Sequence, residues 1–128
     1  MTSYPTVDEV MDVHDRLIAR FGGSLGIRDR GALKSALARP QSGYYTDLIQ
    51  EAAALWESLS QNHPFLDGNK RVAVTVTAAF LTVNGYRLLF DDIEAVAFLL
   101  RLYESGTLRF QELETWLRHH AQPVDRST

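Results

Sequence analysis

The sequence contains no cysteine, so disulfide bonds, thiolate catalysis and thiolate metal sites are excluded. Positive charge is also scarce: 13 Lys and Arg stand against 16 Asp and Glu, a net charge of -3. This balance gives no electrostatic reason to expect nucleic acid or an anionic membrane surface as a partner. The apolar runs are interrupted well short of the length that spans a bilayer, and no secretory signal is visible. A cytoplasmic globular protein is therefore expected.

The domain organisation is predicted to be simple. A chain of 128 residues can bury a proper core as one domain. No linker, repeat or low-complexity segment interrupts it. We expect one domain over residues 1–121, followed by a flexible C-terminal tail over residues 122–128.

The first half of the sequence has the periodicity of helices. A first helix, "TVDEVMDVHDRLIARFGG", opens with a capping box of Thr6 and Glu9 and closes on two glycines. His14 and Asp15 are interpreted as a surface or inter-helix pair rather than a catalytic one. The predicted inward face consists of Val7, Val10, Val13, Leu17, Ile18 and Phe21.

Two further helices follow, separated by a polar stretch. The second, "DRGALKSALARP", should end at Pro40, and the third, "LIQEAAALWESLSQN", should be capped by Asp47. We call residues 39–47 the connecting segment. Its composition fits an exposed tether, and a flap over a site is the alternative.

The stretch over residues 69–83 is ambiguous, because its β-branched residues favour a strand locally. It is long for a strand, however, and Asn84-Gly85 is a good helix stop, so a buried helix is predicted. A short extended piece should follow at residues 86–90, then two helices, the first capped by Asp91 or Asp92. The predicted fold is an all-α, compact bundle of about six helices.

Polar chemistry is concentrated in "NHPFLDGNKRVA", residues 62–73, between two apolar helices. His63 precedes a proline, which disfavours helical geometry at the histidine, and its imidazole suits a general base near neutral pH. Asp67 supplies the kind of carboxylate that holds Mg²⁺ together with substrate phosphates. Phe65 is predicted to anchor this loop in the core.

The residues after Asp67 resemble the parts of an anion site. Gly68 permits a left-handed backbone, and the N–H groups of residues 68–71 would open a helix without internal partners. Such a helix start binds anions, and Lys70 and Arg71 add positive charge. A base, a metal ligand and donors around a phosphate are what phosphoryl transfer requires.

Each of these features has an ordinary structural interpretation. A histidine before a helix is commonly a cap or a core residue, and Asp-Gly-Asn is commonly a turn that begins a helix. Lys70 and Arg71 would then form a solvated face, although two cations in a first turn oppose the helix dipole. The coincidence of all these features in one run favours a site.

The run "HPFLDGNKR" resembles the signature of the Fic/Doc (Fido) superfamily, and more narrowly that of its death-on-curing branch of type II toxin–antitoxin toxins. "HDRLIARFGGSLGIRDRGALKSALARPQSG" resembles the N-terminal half of that branch, and "NGYRLLFDD" resembles its turn after the signature. The resemblance covers about residues 6–118 and implies the Fido fold.

The resemblance also implies roles for individual residues. His63 matches the catalytic histidine that deprotonates a target hydroxyl, and Asp67 matches the Mg²⁺ ligand. Gly68 and Asn69 match the anion-binding turn, while Arg71 matches the phosphate-contacting arginine. ATP is the implied co-substrate.

Departures from the family pattern bear on the reaction. Lys70 stands where nucleotidyl-transferring Fic proteins usually have a second glycine, and Val74 stands where they have a second arginine. Both favour the toxin branch, implied to be a kinase that places the γ-phosphate of ATP on a threonine of translation elongation factor Tu and inhibits translation. Thr75 and Gly68 differ from the branch's prototype, which has asparagine and alanine there.

Two alternatives stay open on this sequence. One is a nucleotidyltransferase that attaches AMP to a protein hydroxyl, and the other is a non-catalytic Fido-fold module that binds a partner. No glutamate is followed by Gly or Asn, so the family's autoinhibitory helix is not expected. Restraint by a separate antitoxin, Phd-like or of another kind, is the implied regulation.

Overall fold

The computed structural model describes residues 1–89, 91–106 and 108–124. Within these ranges the chain forms six α-helices and a two-stranded antiparallel sheet, so the predicted all-α bundle is confirmed. A single turn of 3-10 helix, Arg39–Gln41, follows the second helix. The elements are α1 Val7–Phe21, α2 Arg30–Ala38, α3 Leu48–Asn62, α4 Asn69–Val83, β1 Tyr86–Leu88, α5 Asp92–Ser105, α6 Phe110–His120 and β2 Ala121–Pro123.

Capping side chains set the starts of three helices, as the sequence predicts. Thr6 and Glu9 form the capping box of α1, with the Thr6 hydroxyl accepting from the Glu9 N–H at 3.1 Å. Asp47 accepts from the N–H of Gln50 at the start of α3. At α5 the capping residue is Asp91, whose carboxylate accepts from the Ile93 N–H at 2.7 Å. Each contact satisfies a backbone donor that the first helical turn leaves unpaired.

The centre of the bundle is α3, which packs against α2, α4 and α6. Three consecutive alanines, 52 to 54, are fully buried and let the neighbouring backbones approach closely. Larger side chains, Leu55, Trp56 and Leu59, fill the space around them. Nine of the fifteen residues of this helix are buried, which explains why its apolar residues are not confined to one narrow stripe.

The ambiguous stretch over residues 69–83 is a helix, as predicted. Its buried side chains recur at helical spacing and pack against α3: Val72, Ala73, Val76, Thr77, Phe80 and Leu81. Burial of this face outweighs the local preference of the β-branched residues for a strand. The helix ends at Val83, and the N–H of its C-cap residue, Asn84, donates to the carbonyl of Leu81.

The C-terminal part differs from the sequence-based expectation. Ala121–Pro123 forms β2 and pairs with β1, with Arg87 opposite Gln122, so this part of the expected tail is ordered by strand pairing. The sequence did not predict it because the partner strand lies more than thirty residues away. Residues 125–128, and Phe90 in the predicted extended piece, lie outside the described residues.

The connecting segment lies against α3 and α6. Arg39 donates to the Tyr45 hydroxyl at 2.7 Å and to the Glu57 carboxylate at 2.6 Å. Arg118 of α6 forms a 3.0 Å ion pair with Asp47. These contacts fix the segment along the side of the bundle.

Across the described ranges, each helix is too short or too polar to cross a lipid bilayer.

Candidate active site at the start of α4

The loop between α3 and α4, residues 63–68, begins and ends with a left-handed residue. We call it the signature loop. His63 has φ 46° and ψ 57°, and it is the one non-glycine residue with positive φ in the described part of the chain. Gly68, the N-cap of α4, has φ 78°. A left-handed histidine costs about 1–2 kcal/mol, so the surrounding contacts must hold it.

Phe65 and Asn69 anchor the signature loop from within. The Phe65 ring is 2% exposed, as predicted for the residue that ties the loop to the core. The Asn69 amide bonds both main-chain groups of Phe65: its Oδ1 accepts from the N–H at 2.9 Å, and its Nδ2 donates to the carbonyl at 3.0 Å. Both polar atoms of the Asn69 side chain are therefore hydrogen-bonded within the loop, so the donor available to an anion at this residue is the main-chain N–H.

The segment between α1 and α2 holds the signature loop from outside. The Arg28 guanidinium donates to the carbonyls of Asn62 at 2.9 Å and His63 at 2.7 Å, which are otherwise unpaired at the end of α3. The Arg28 main-chain N–H donates to the carbonyl of Pro64 at 2.7 Å. Ile27 forms an antiparallel bridge with Phe65 beside these contacts. The strained histidine is thus held through its backbone, which leaves the imidazole exposed.

His14 of α1 supports the signature loop from below, a contact the sequence interpretation missed. Its ring is 1% exposed and stacks on Phe65, with centroids 3.9 Å apart and planes 6° from parallel. Its Nε2 lies 2.8 Å from the carbonyl oxygen of Asp67. The signal was present in the spacing, because His14 lies four residues from both Val10 and Ile18 on the buried face.

Asp67 is exposed, and its carboxylate is oriented by two main-chain donors. Gly68 N–H donates to one oxygen at 2.8 Å, and Ser24 N–H donates to the other at 3.2 Å. Gly23 must lack a side chain, since a Cβ there would lie 2.6 Å from the Asp67 oxygen. A carboxylate has about four acceptor positions, so room remains for a cation.

The two cations at the start of α4 rest on aromatic rings. Lys70 Nζ lies 4.4 Å from the centre of the Tyr103 ring, and Arg71 Cζ lies 4.3 Å from that of Phe21. Burial raises the pKa of Tyr103, so its phenol is neutral and meets Lys70 through the ring face. Phe21 was predicted to face the core, but it is 55% exposed and contacts Arg71 instead.

The first turn of α4 has unpaired backbone donors. The first helical bond runs from the N–H of Val72 to the carbonyl of Gly68, and no side chain caps this end. The N–H groups of residues 69–71 have no acceptor in the part of the chain that the structure describes. The Gly68 N–H, also expected to be unpaired, is bonded to Asp67. Three donors and the helix dipole therefore face outward beside the two cations.

All six candidate residues from the sequence line one open cavity of about 720 Å³: His63, Asp67, Gly68, Asn69, Lys70 and Arg71. The other walls are Leu66, Val74, Thr75 and two residues of α5, Leu99 and Tyr103, which the sequence did not identify. The connecting segment contributes none of the lining residues in this structure, so its role as a flap stays a prediction. A histidine, a carboxylate, two cations and a helix start thus surround one volume.

The sequence is similar to proteins of one known family. The Fic/DOC family model matches residues 4–81. A relative named Toxin Doc, from Mycolicibacterium smegmatis, is 44% identical over 91 residues, covering 65% of this chain and 70% of the relative. A second, named Protein kinase doc, from Escherichia phage P1, is 33% identical over 91 residues, covering 68% and 71%. The matched region contains the signature loop and α1, and the chain belongs to the Fic/DOC family.

Proposed function

We propose that this protein is a Doc-type toxin that transfers the γ-phosphate of ATP to a serine or threonine hydroxyl of a target protein such as elongation factor Tu, inhibiting translation. The observation that carries the proposal is the single cavity in which His63, Asp67, Lys70 and Arg71 meet the uncapped start of α4. The printed names of the two relatives, a toxin and a protein kinase, support it.

His63 acts as the general base. Its imidazole is exposed to the cavity, and the main-chain contacts of Arg28 leave the ring nitrogens available. The target hydroxyl gives its proton to His63 as its oxygen bonds to the γ-phosphorus, and the bond from that phosphorus to the β,γ-bridging oxygen breaks. ADP leaves with that oxygen, the phosphorylated hydroxyl remains on the target, and the histidine later releases the proton to water.

Asp67 is the residue that would hold Mg²⁺. Its donor set fits: one hard carboxylate with vacant acceptor positions lies in an open, cation-lined cavity, where substrate phosphates and water would supply the other ligands. No cluster of three metal-binding side chains occurs in the described ranges, which fits a shared rather than an all-protein site. Bound there, Mg²⁺ would neutralise charge that develops on the phosphate oxygens.

Lys70, Arg71 and the N–H groups of residues 69–71 bind the phosphates. These donors are already in place before substrate binds, so little reorganisation is needed as charge develops in the transition state. One turn further along α4, Val74 and Thr75 line the cavity with uncharged side chains. Lys70 and Arg71 are the Lys and Arg side chains among the described lining residues, so the positive charge lies at the first turn of α4. Charge in this one place favours transfer of the γ-phosphate over transfer of a nucleotide, which would need cations along the whole triphosphate.

A separate antitoxin is the proposed partner. The sequence has no glutamate followed by Gly or Asn, so the family's autoinhibitory pattern is missing from it. The name of one relative, Toxin Doc, supports restraint by a separate antitoxin.

The test uses ATP labelled at either the α- or the γ-phosphate, incubated with the protein and a bacterial lysate. We expect protein label from the γ-position alone, and none with His63→Asn. Label from the α-position would replace the kinase with a nucleotidyltransferase. No histidine-dependent label from either position would contradict both enzymatic functions.

A further inference from the structure

The contact between His14 and the signature loop has a defined direction. A carbonyl oxygen only accepts hydrogen bonds, so the 2.8 Å contact with the Asp67 carbonyl requires that His14 Nε2 carries the proton. The other ring nitrogen, Nδ1, lies 3.9 Å from the Asp15 carboxylate, too far for a hydrogen bond. Among the described residues the buried ring thus makes one hydrogen bond, and it makes it to the loop.

The bond from His14 reaches the cavity through one peptide group. The C=O of Asp67 and the N–H of Gly68 belong to the same planar unit and point in opposite directions. His14 holds the C=O on the buried side, and the N–H on the other side donates to the Asp67 carboxylate at 2.8 Å. Rotation of this peptide would break both bonds together and leave the carboxylate with one main-chain donor, the Ser24 N–H.

We propose that His14 is a positioning residue, which fixes the Asp67–Gly68 peptide and thereby aims the Asp67 carboxylate into the cavity. It lies outside the cavity lining and acts through Asp67. The inference rests on the proposed function for what Asp67 holds, a divalent cation bound to nucleotide phosphates. A bond made by a buried, rigid side chain is suited to this task, because supporting contacts of this kind keep a metal ligand in its productive orientation.

The ring of His14 has a second, separable role in packing. It stacks on Phe65 at 3.9 Å, and this contact needs a flat ring but not a donor. His14→Phe keeps the ring and removes the donor. His14→Gln removes the ring and keeps a donor that reaches about as far as Nε2. The two variants form a matched pair that distinguishes positioning from packing.

The first measurement is the affinity of the full chain for Mn²⁺ with β,γ-imido-ATP, followed by electron paramagnetic resonance of bound Mn²⁺. We expect His14→Phe to weaken binding about tenfold or more, since lost supporting contacts cost about 10- to 100-fold in metal affinity. His14→Gln should stay within about threefold of wild type, since the donor is kept. Wild-type affinity in His14→Phe, or equal losses in both variants, would overturn the proposal. If His14→Phe does not fold, His14→Gln decides: retained affinity supports the proposal and lost affinity overturns it.

The second measurement needs no ligand and separates this inference from the proposed function. Hydrogen exchange of the Gly68 amide should be faster by about tenfold in His14→Phe, because a loss of roughly 1.4 kcal/mol in protection corresponds to that factor. It should be unchanged in His14→Gln. If Gly68 exchange is faster in His14→Phe but the wild-type protein does not bind the nucleotide, the positioning role of His14 is supported and the proposed function is contradicted. If exchange is unchanged and the wild-type protein does bind the nucleotide, only the positioning role of His14 is contradicted.

Discussion

The signature loop and the connecting segment both join helices at the surface, and the cations in or next to them have different partners. In the connecting segment Arg39 is paired with Glu57, and Arg118 of α6 is paired with Asp47 and Glu114. At the signature loop, Lys70 and Arg71 lie against the rings of Tyr103 and Phe21. Neither has a carboxylate within ion-pair distance in the described ranges.

The polar contacts that hold the two loops also differ, because one loop is held by its side chains and the other by its main chain. Side-chain ion pairs to α3 and α6 hold the connecting segment, so the charges of Arg39 and Asp47 are neutralised. Contacts to main-chain atoms hold the signature loop, made by Asn69, Arg28 and His14. Its own side chains are therefore left for a ligand. An aromatic ring can fix a cation without neutralising it, which keeps the cation able to bind an anion.

The largest effect is expected from the base itself. His63→Asn should lower the rate of phosphate transfer by about 100- to 10,000-fold, the usual contribution of a general base. Asparagine tolerates the left-handed backbone, so the melting temperature should change by less than about 2 °C. Transfer rates and thermal denaturation of both proteins check this. A variant that keeps most of its activity would place the base elsewhere.

The next effect tests whether main-chain contacts hold the signature loop. Arg28→Ala should lower the free energy of unfolding by about 1–2 kcal/mol, less than for a buried charged donor because Arg28 is exposed. Arg16→Ala is the matched control: its ion pair with Asp12 is on the surface, and its loss should cost less than about 0.5 kcal/mol. Urea denaturation measures both values. Equal values would show that Arg28 is an ordinary surface cation.

A smaller effect tests the ring beneath Lys70. Tyr103→Leu should raise the KM for ATP about two- to fivefold, the usual worth of an exposed cation–π contact. Tyr103→Phe keeps the ring and should match wild type within about twofold. The KM values of the two variants are measured from steady-state transfer of the labelled phosphate from ATP to the target. The same increase in both would mean that the hydroxyl, rather than the ring, matters.

The smallest effect is expected in the connecting segment. Tyr44 is 83% exposed and lies outside the cavity lining, so Tyr44→Ala should change the transfer rate by less than about twofold. The same kinetic assay measures it. A tenfold loss would show that the segment reaches the site during the reaction.

The sequence predicts what is local in this molecule. Thr6, Asp47 and Asp91 cap helices because their side chains bond residues two or three positions ahead. The candidate site could be predicted because His63 to Arg71 form one run, in which the signature loop is followed directly by the start of α4.

What the sequence did not predict depends on distant partners. The bond from His14 to Asp67 spans 53 residues, and the pairing of β2 with β1 also joins parts that are far apart in the chain. Phe21 fits the periodicity of the buried face of α1, yet it lies past the edge of the core and supports Arg71. Periodicity identifies the face of a helix, and tertiary packing decides how much of that face is covered.

The most direct test of the contrast between the two loops is an amide chemical-shift titration of the 128-residue chain with ATP and Mg²⁺. The structure predicts the largest shifts at the N–H groups of residues 69–71, which have no acceptor among the described residues, and no shifts at the amides of the connecting segment. Shifts centred on the connecting segment, or none at residues 69–71, would contradict the assignment of the signature loop as the phosphate site.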